Sequence, residues 1–149
     1  MRKIFFTFLF LVLWLFTACA QNNSVGDTPK TSSVKIKITI GAKELTAVIY
    51  DNATARDFVS LLPFTLTLED YNRTEKISNL PKKLSTTGAS SGYDPQVGDI
   101  CLYAPWGNLC IFYKNFGYSN GLILLGKIDG DMSAFNVSGS ITANFEVLK

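Results

Sequence analysis

The sequence predicts a mainly β domain, a closed antiparallel barrel of about eight strands with one main α-helix. Three observations predict it. Short stretches alternate apolar and polar residues at period two along most of the chain, a single segment switches to a helical period, and no internal repeat divides the sequence.

Residues 34–40 (VKIKITI) place Val34, Ile36, Ile38 and Ile40 on one face and Lys35, Lys37 and Thr39 on the other, the pattern of a strand buried on one side. Residues 41–44 turn the chain, and 45–50 (LTAVIY) return as the hairpin partner. Over 51–63 the period changes. Asn52 or Thr54 supplies a capping oxygen, Phe58, Leu61 and Leu62 share a helical face, and Pro63 ends the helix because it has no N–H to donate. Residues 64–68 (FTLTL) alternate again, weaker strands are expected at 75–80 and 83–85, and 86–96 (TTGASSGYDPQ) form a loop. Strong strands follow at 97–103 and 108–113 around the turn Ala104-Pro105-Trp106-Gly107, then at 122–128 and 140–148, with a short helical turn at 132–135.

A hairpin centred on Pro105 and Trp106 sets Ile100 against Ile111, Cys101 against Cys110 and Leu102 against Leu109. Directly opposed Cβ atoms in a sheet lie about 4.5–5.5 Å apart, wider than the roughly 3.8 Å of a relaxed disulfide. An oxidising compartment favours a Cys101–Cys110 bond, whereas that spacing and the apolar neighbours Tyr103 and Phe112 favour two buried thiols. Both states stay open.

The amino end has the layout of an export signal. Arg2 and Lys3 precede an apolar run over residues 4–16 broken only by Thr7. As a helix that run spans roughly 20 Å, short of the roughly 30 Å hydrocarbon core of a bilayer. It closes on Phe16-Thr17-Ala18-Cys19, which resembles the bacterial lipobox, with Phe16 where Leu is usual. That resemblance implies a signal peptide over 1–18, lipid on Cys19 and a tether over 19–33, polar and rich in Ser, Gly and Pro, ahead of a domain at 34–149. An ordinary signal cleaved near Ala18 or Ala20 is the alternative. Ala20 in place of Asp after the cysteine favours the outer membrane of the bacterial envelope.

The whole chain has 149 residues and a formal charge of +2, with 14 Lys and Arg against 12 Asp and Glu. Removal of residues 1–18 takes Arg2 and Lys3 and no acid, so the mature chain is neutral and offers no basic patch for nucleic acid. There is no histidine, which excludes Ser-His-Asp and Cys-His nucleophiles, a His general base and a His-ligated zinc. Glu69, Asp70 and Glu75 cluster without calcium-loop spacing and are expected to solvate loops, so no metal and no cofactor is expected.

Several stretches together resemble the bacterial branch of the cyclophilin-like superfamily. They are Thr54-Ala55-Arg56-Asp57-Phe58, Leu66-Thr67-Leu68-Glu69-Asp70-Tyr71, Gly98-Asp99-Ile100, Pro105-Trp106-Gly107-Asn108-Leu109, Ile111-Phe112-Tyr113 and Leu125-Gly126-Lys127-Ile128. The resemblance implies a cyclophilin-like barrel over 34–149. In true cyclophilins an arginine hydrogen-bonds near a prolyl nitrogen and weakens the amide resonance behind a barrier of about 18–20 kcal/mol. That chemistry needs no histidine. Of the arginines beyond the signal, Arg56 is expected on the solvated face of the helix, so Arg73 is the candidate catalytic residue if the barrel is an isomerase.

Trp106 at a hairpin tip is hard to account for as core. With Asn108, Phe112, Tyr118 and Tyr71 it is expected to form a ligand-binding rim, rings packing the ligand and an amide orienting it. The sequence thus points to a lipid-anchored envelope protein whose barrel binds a peptide or small molecule without catalysis. The alternative is a peptidyl-prolyl isomerase using Arg73; a purely structural envelope protein is the third reading.

Overall fold

A computed structural model describes residues 33–149; the expected signal at 1–18, Cys19 and the tether as far as residue 32 lie outside the described residues. The elements are β1 (Val34–Ile40), β2 (Lys43–Ile49), α1 (Ala53–Val59), β3 (Phe64–Tyr71), β4 (Glu75–Asn79), β5 (Gly92–Tyr93), β6 (Asp99–Tyr103), β7 (Asn108–Phe112), β8 (Ser119–Asn120), β9 (Leu122–Asp129), a 3-10 turn (Met132–Ala134) and β10 (Ile141–Val147). Eight of the strands close a barrel in the order β1-β10-β3-β4-β7-β6-β9-β2, every neighbouring pair antiparallel. The two short strands β5 and β8 pair with each other outside it.

Strand parity fills the barrel. Ile36 and Ile38 of β1 face Ala47 and Leu45 of β2, and Ile38 also meets Phe145 of β10. All five side chains are buried. The expected helix forms but is shorter. Asn52 caps it, its Oδ1 accepting from the Ala55 N–H at 2.8 Å while its Nδ2 donates to the Leu124 carbonyl of β9 at 3.0 Å. Phe58 is fully buried and meets Phe64 edge-on at 5.7 Å, whereas Leu61 and Leu62 fall beyond the last turn and are half-buried. Arg56 is exposed and pairs with Asp51.

A polar group also lies in the interior. Lys76 of β4 is fully buried, and its Nζ donates to Asp70 Oδ1 at 3.0 Å and to the Val137 and Gly139 carbonyls at 2.6 and 2.7 Å. The Tyr113 hydroxyl donates to the same Asp70 oxygen at 2.6 Å. A buried ammonium needs this full set of acceptors, and meeting it ties the chain ahead of β10 to β3 and β4.

β6 and β7 differ from the outer strands. All five residues of β7 are buried, because Leu109 and Ile111 enter the barrel while Asn108, Cys110 and Phe112 face an external layer. Burial on both sides explains why these strands read as continuous apolar runs rather than alternations. β9 passes close to β2 at Gly126, where a Cβ would come within 2.4 Å of the Val48 carbonyl, so only glycine fits there.

Two expectations need correcting. Residues 83–85 form no strand: Leu84 is buried and the Ser85 N–H donates to Asp57 Oδ2 at 2.7 Å, so side-chain contacts hold this segment. Val97 and Gly98 precede β6, held by Gly98 N–H donating to the Phe112 carbonyl at 2.8 Å.

Candidate functional site

The outer face of β4, β7, β6 and β9 carries the candidate site. Along β4 and β7, Glu75 pairs with Phe112, Ile77 with Cys110 and Asn79 with Asn108. Across to β6, Cys110 pairs with Cys101 and Asn108 with Tyr103, and β9 continues the row with Leu124 and Leu122. Here the strands line a cavity of about 210 Å³ whose walls include Tyr71, Tyr103, Trp106 and Phe112 and whose polar groups include Glu75 and Asn108.

The hairpin from β6 to β7 sets the wall. Gly107 N–H donates to the Tyr103 carbonyl at 2.8 Å, and Gly107 takes a φ of 73°, which a side chain would strain. Trp106 is thereby held out at the tip with 61% of its surface exposed. Its ring meets Tyr103 at 5.2 Å and Tyr71 at 5.9 Å between centroids, both edge-on at 84°. Phe112 stacks on Phe116 at 6.4 Å across the cavity lining. The result is a half-open aromatic box.

Its polar groups are unusual. Asn108 is buried, its Nδ2 has only the Cys110 sulfur at 3.8 Å, and its Oδ1 has no hydrogen-bond partner in the protein. Glu75 Oε2 is likewise buried without a partner. Burial pushes the Glu75 carboxyl up from 4.5 to about 7, against the opposing pull of a hydrogen bond from the Cys110 thiol. The thiols of Cys110 and Cys101 are themselves pushed well above the ordinary range, first by burial and then by nearby carboxylates. Both cysteines are free, and they face each other as the hairpin register predicts.

Of the residues predicted for the site, Tyr71, Trp106, Asn108 and Phe112 come together on this cavity. Tyr118 does not line it. Its ring lies over Gly92, where an added Cβ would meet Tyr118 Cζ at 2.7 Å, and its hydroxyl is 3.3 Å from Ser91 Oγ. The neighbouring Ser119 reaches the cavity instead. Arg73 is elsewhere too. It occupies the tight turn between β3 and β4, where Asn72 and Arg73 take φ of 52° and 54°, and it lines a separate cleft with Asp70, Tyr113 and Lys114.

Sequence reasoning missed Glu75 as a site residue by treating it as a loop acid. Strand parity could have found it, because a three-residue turn at Asn72-Arg73-Thr74 sets Tyr71 opposite Glu75 on the same face.

A family model described as cyclophilin-like matches residues 38–147. The chain belongs to the cyclophilin-like family. No curated protein matches it. A solved structure, that of a hypothetical protein from Archaeoglobus fulgidus, is similar with a TM-score of 0.55 at 16% identity, covering 81% of this chain and 99% of that one. At that identity the likeness speaks for the fold. Within this cyclophilin-like barrel, the described arginines, Arg56 and Arg73, both lie away from the aromatic cavity.

Proposed function

We propose that this protein is a lipid-anchored component of the bacterial cell envelope whose cyclophilin-like barrel is a non-catalytic binding module for a peptide segment or small molecule. One observation carries the binding role: an aromatic-walled cavity whose Glu75 and Asn108 each keep a buried oxygen without a partner. Leaving such an atom unpaired costs about 1–3 kcal/mol, a cost a ligand with donors removes. Anchoring rests on the lipobox-like Phe16-Thr17-Ala18-Cys19 after an apolar run, and the polar tether would hold the barrel off the membrane.

The isomerase alternative has less support. Resonance weakening of a prolyl amide calls for a guanidinium beside the bound peptide, and Arg73 lines a different cleft from Phe112.

A fragment and peptide screen by melting temperature tests the binding role. Ligands that stabilise the full chain but not Trp106→Ala are expected; a screen with no Trp106-dependent ligand contradicts it. The same protein should show no turnover of a proline peptide, and turnover lost in Arg73→Ala would overturn the non-catalytic reading. For the anchor, radioactive palmitate is expected to label the chain in cells and to be lost in Cys19→Ala; label that persists refutes lipid on Cys19.

A further inference from the structure

We infer that the cavity on the outer barrel face takes a small organic ammonium, its charged nitrogen held against the Tyr71, Tyr103 and Trp106 rings and donating N–H groups to Glu75 and Asn108. This rests on the binding role proposed above and names the ligand's chemical class.

Four features point the same way. The two unpartnered buried atoms, Glu75 Oε2 and Asn108 Oδ1, are both acceptors, so the complementary ligand brings donors. Glu75 is the one charged side chain lining the cavity, which attracts a cation and repels a carboxylate or phosphate. Tyr and Trp rings attract a cation within about 6 Å of the ring centre, a contact strengthened where water is excluded. The cavity, of about 210 Å³ and open on one side, has room for a small amine or one basic side chain.

Several carboxylates elsewhere already have a lysine partner. Asp70 pairs with Lys76, Asp99 with Lys127, Asp131 with Lys43 and Asp57 with Lys82. Among the described residues no lysine or arginine pairs with Glu75. The titratable groups around it are the thiols of Cys110 and Cys101 and the phenols of Tyr71, Tyr103 and Tyr113. Burial holds both thiols protonated, so the carboxylate is the cavity's anion. An ammonium would bind its ionised form, and affinity should rise as pH climbs through about 7.

Titration calorimetry on the full chain with three probes of one shape tests this: phenethylammonium, the neutral phenethyl alcohol and the anionic hydrocinnamate. Phenethylammonium is expected to bind at least about tenfold tighter than the alcohol, with hydrocinnamate weakest. That preference should disappear in Glu75→Gln. In the unaltered protein, which does not depend on how the variant folds, phenethylammonium affinity should rise roughly tenfold from about pH 5.5 to about pH 8. Equal binding of alcohol and ammonium, or a pH-independent affinity, overturns the ammonium assignment and leaves the binding role standing. Binding of none of the three also overturns it, whereas the binding role falls only if the wider screen finds no Trp106-dependent ligand.

Discussion

Glu75 lies directly across from Phe112 on the ladder between β4 and β7, so a carboxyl and a phenyl ring share one wall of the same cavity. Burial beside that ring raises the folded-state value of Glu75 from 4.5 to about 7, so the folded protein holds the proton more tightly than the unfolded chain. The resulting stabilisation is complete below about pH 4.5 and is lost as pH rises through about 7. Denaturant midpoints measured across that window should fall with rising pH in the unaltered protein and stay flat in Glu75→Gln. A flat profile in the unaltered protein contradicts the burial of this carboxyl.

Asp70 gives the opposite slope in a different window. The Tyr113 hydroxyl, then Lys76, holds its carboxyl below the ordinary 3.8, so its contribution is present above that value and is lost as pH falls through the lower folded value. Asp70→Asn is therefore expected to remove part of the acid sensitivity below about pH 4 while leaving the Glu75 window unchanged. Acid unfolding followed by circular dichroism checks it.

Lys76 is expected to matter far more to stability than any surface lysine. Lys76→Met leaves the Val137 and Gly139 carbonyls without their donor and Asp70 without its cation, though still bonded to the Tyr113 hydroxyl, and should cost on the order of 3 kcal/mol. Lys82→Met, which removes an exposed partner of Asp57, should cost less than about 1 kcal/mol. Similar losses for the two, by chemical denaturation, would contradict the buried network.

Trp106 should show the reverse pattern. With 61% of its surface exposed and only edge-on contacts to Tyr71 and Tyr103, Trp106→Ala should cost about 1 kcal/mol or less of stability. Its effect on cavity ligands should be much larger. A collapse of the melting temperature would mean that the ring is a structural prop.

Cys101 and Cys110 should be inert while the protein is folded. Their thiols are buried and pushed above the ordinary range, which starves them of thiolate. Iodoacetamide is expected to modify both only after unfolding, as read by peptide mapping that separates them from Cys19. Fast native labelling of Cys110 would show that the cavity floor is open to solvent.

The barrel was legible where one face is wet. The alternation VKIKITI marks β1 to the residue, and centring the hairpin on Pro105 and Trp106 yields the observed register of Cys101 with Cys110. The outer layer was not. β5 and β8 are two residues each, too short to carry a period, and Gly92 contributes only the space that Tyr118 fills. Because β6 and β7 are buried on both sides, their sequence shows that they are strands but not that a second layer covers them. Tyr71, Trp106, Asn108 and Phe112, which the sequence groups by residue type and by its family resemblance, line one cavity. The place of Glu75 on that cavity is not legible because an acid near a turn usually meets water, and the place of Arg73 is not legible because Asn72-Arg73 lacks the glycine that normally marks so tight a turn.

The central claim is that ligands enter the aromatic cavity and not the Arg73 cleft. Amide chemical-shift mapping with phenethylammonium and the fragments that stabilise the chain tests it most directly. Shifts concentrated on Tyr71, Glu75, Ile77, Tyr103, Asn108 and Phe112 are the expected result. Shifts concentrated instead on Asp70, Arg73, Tyr113 and Lys114 would contradict it.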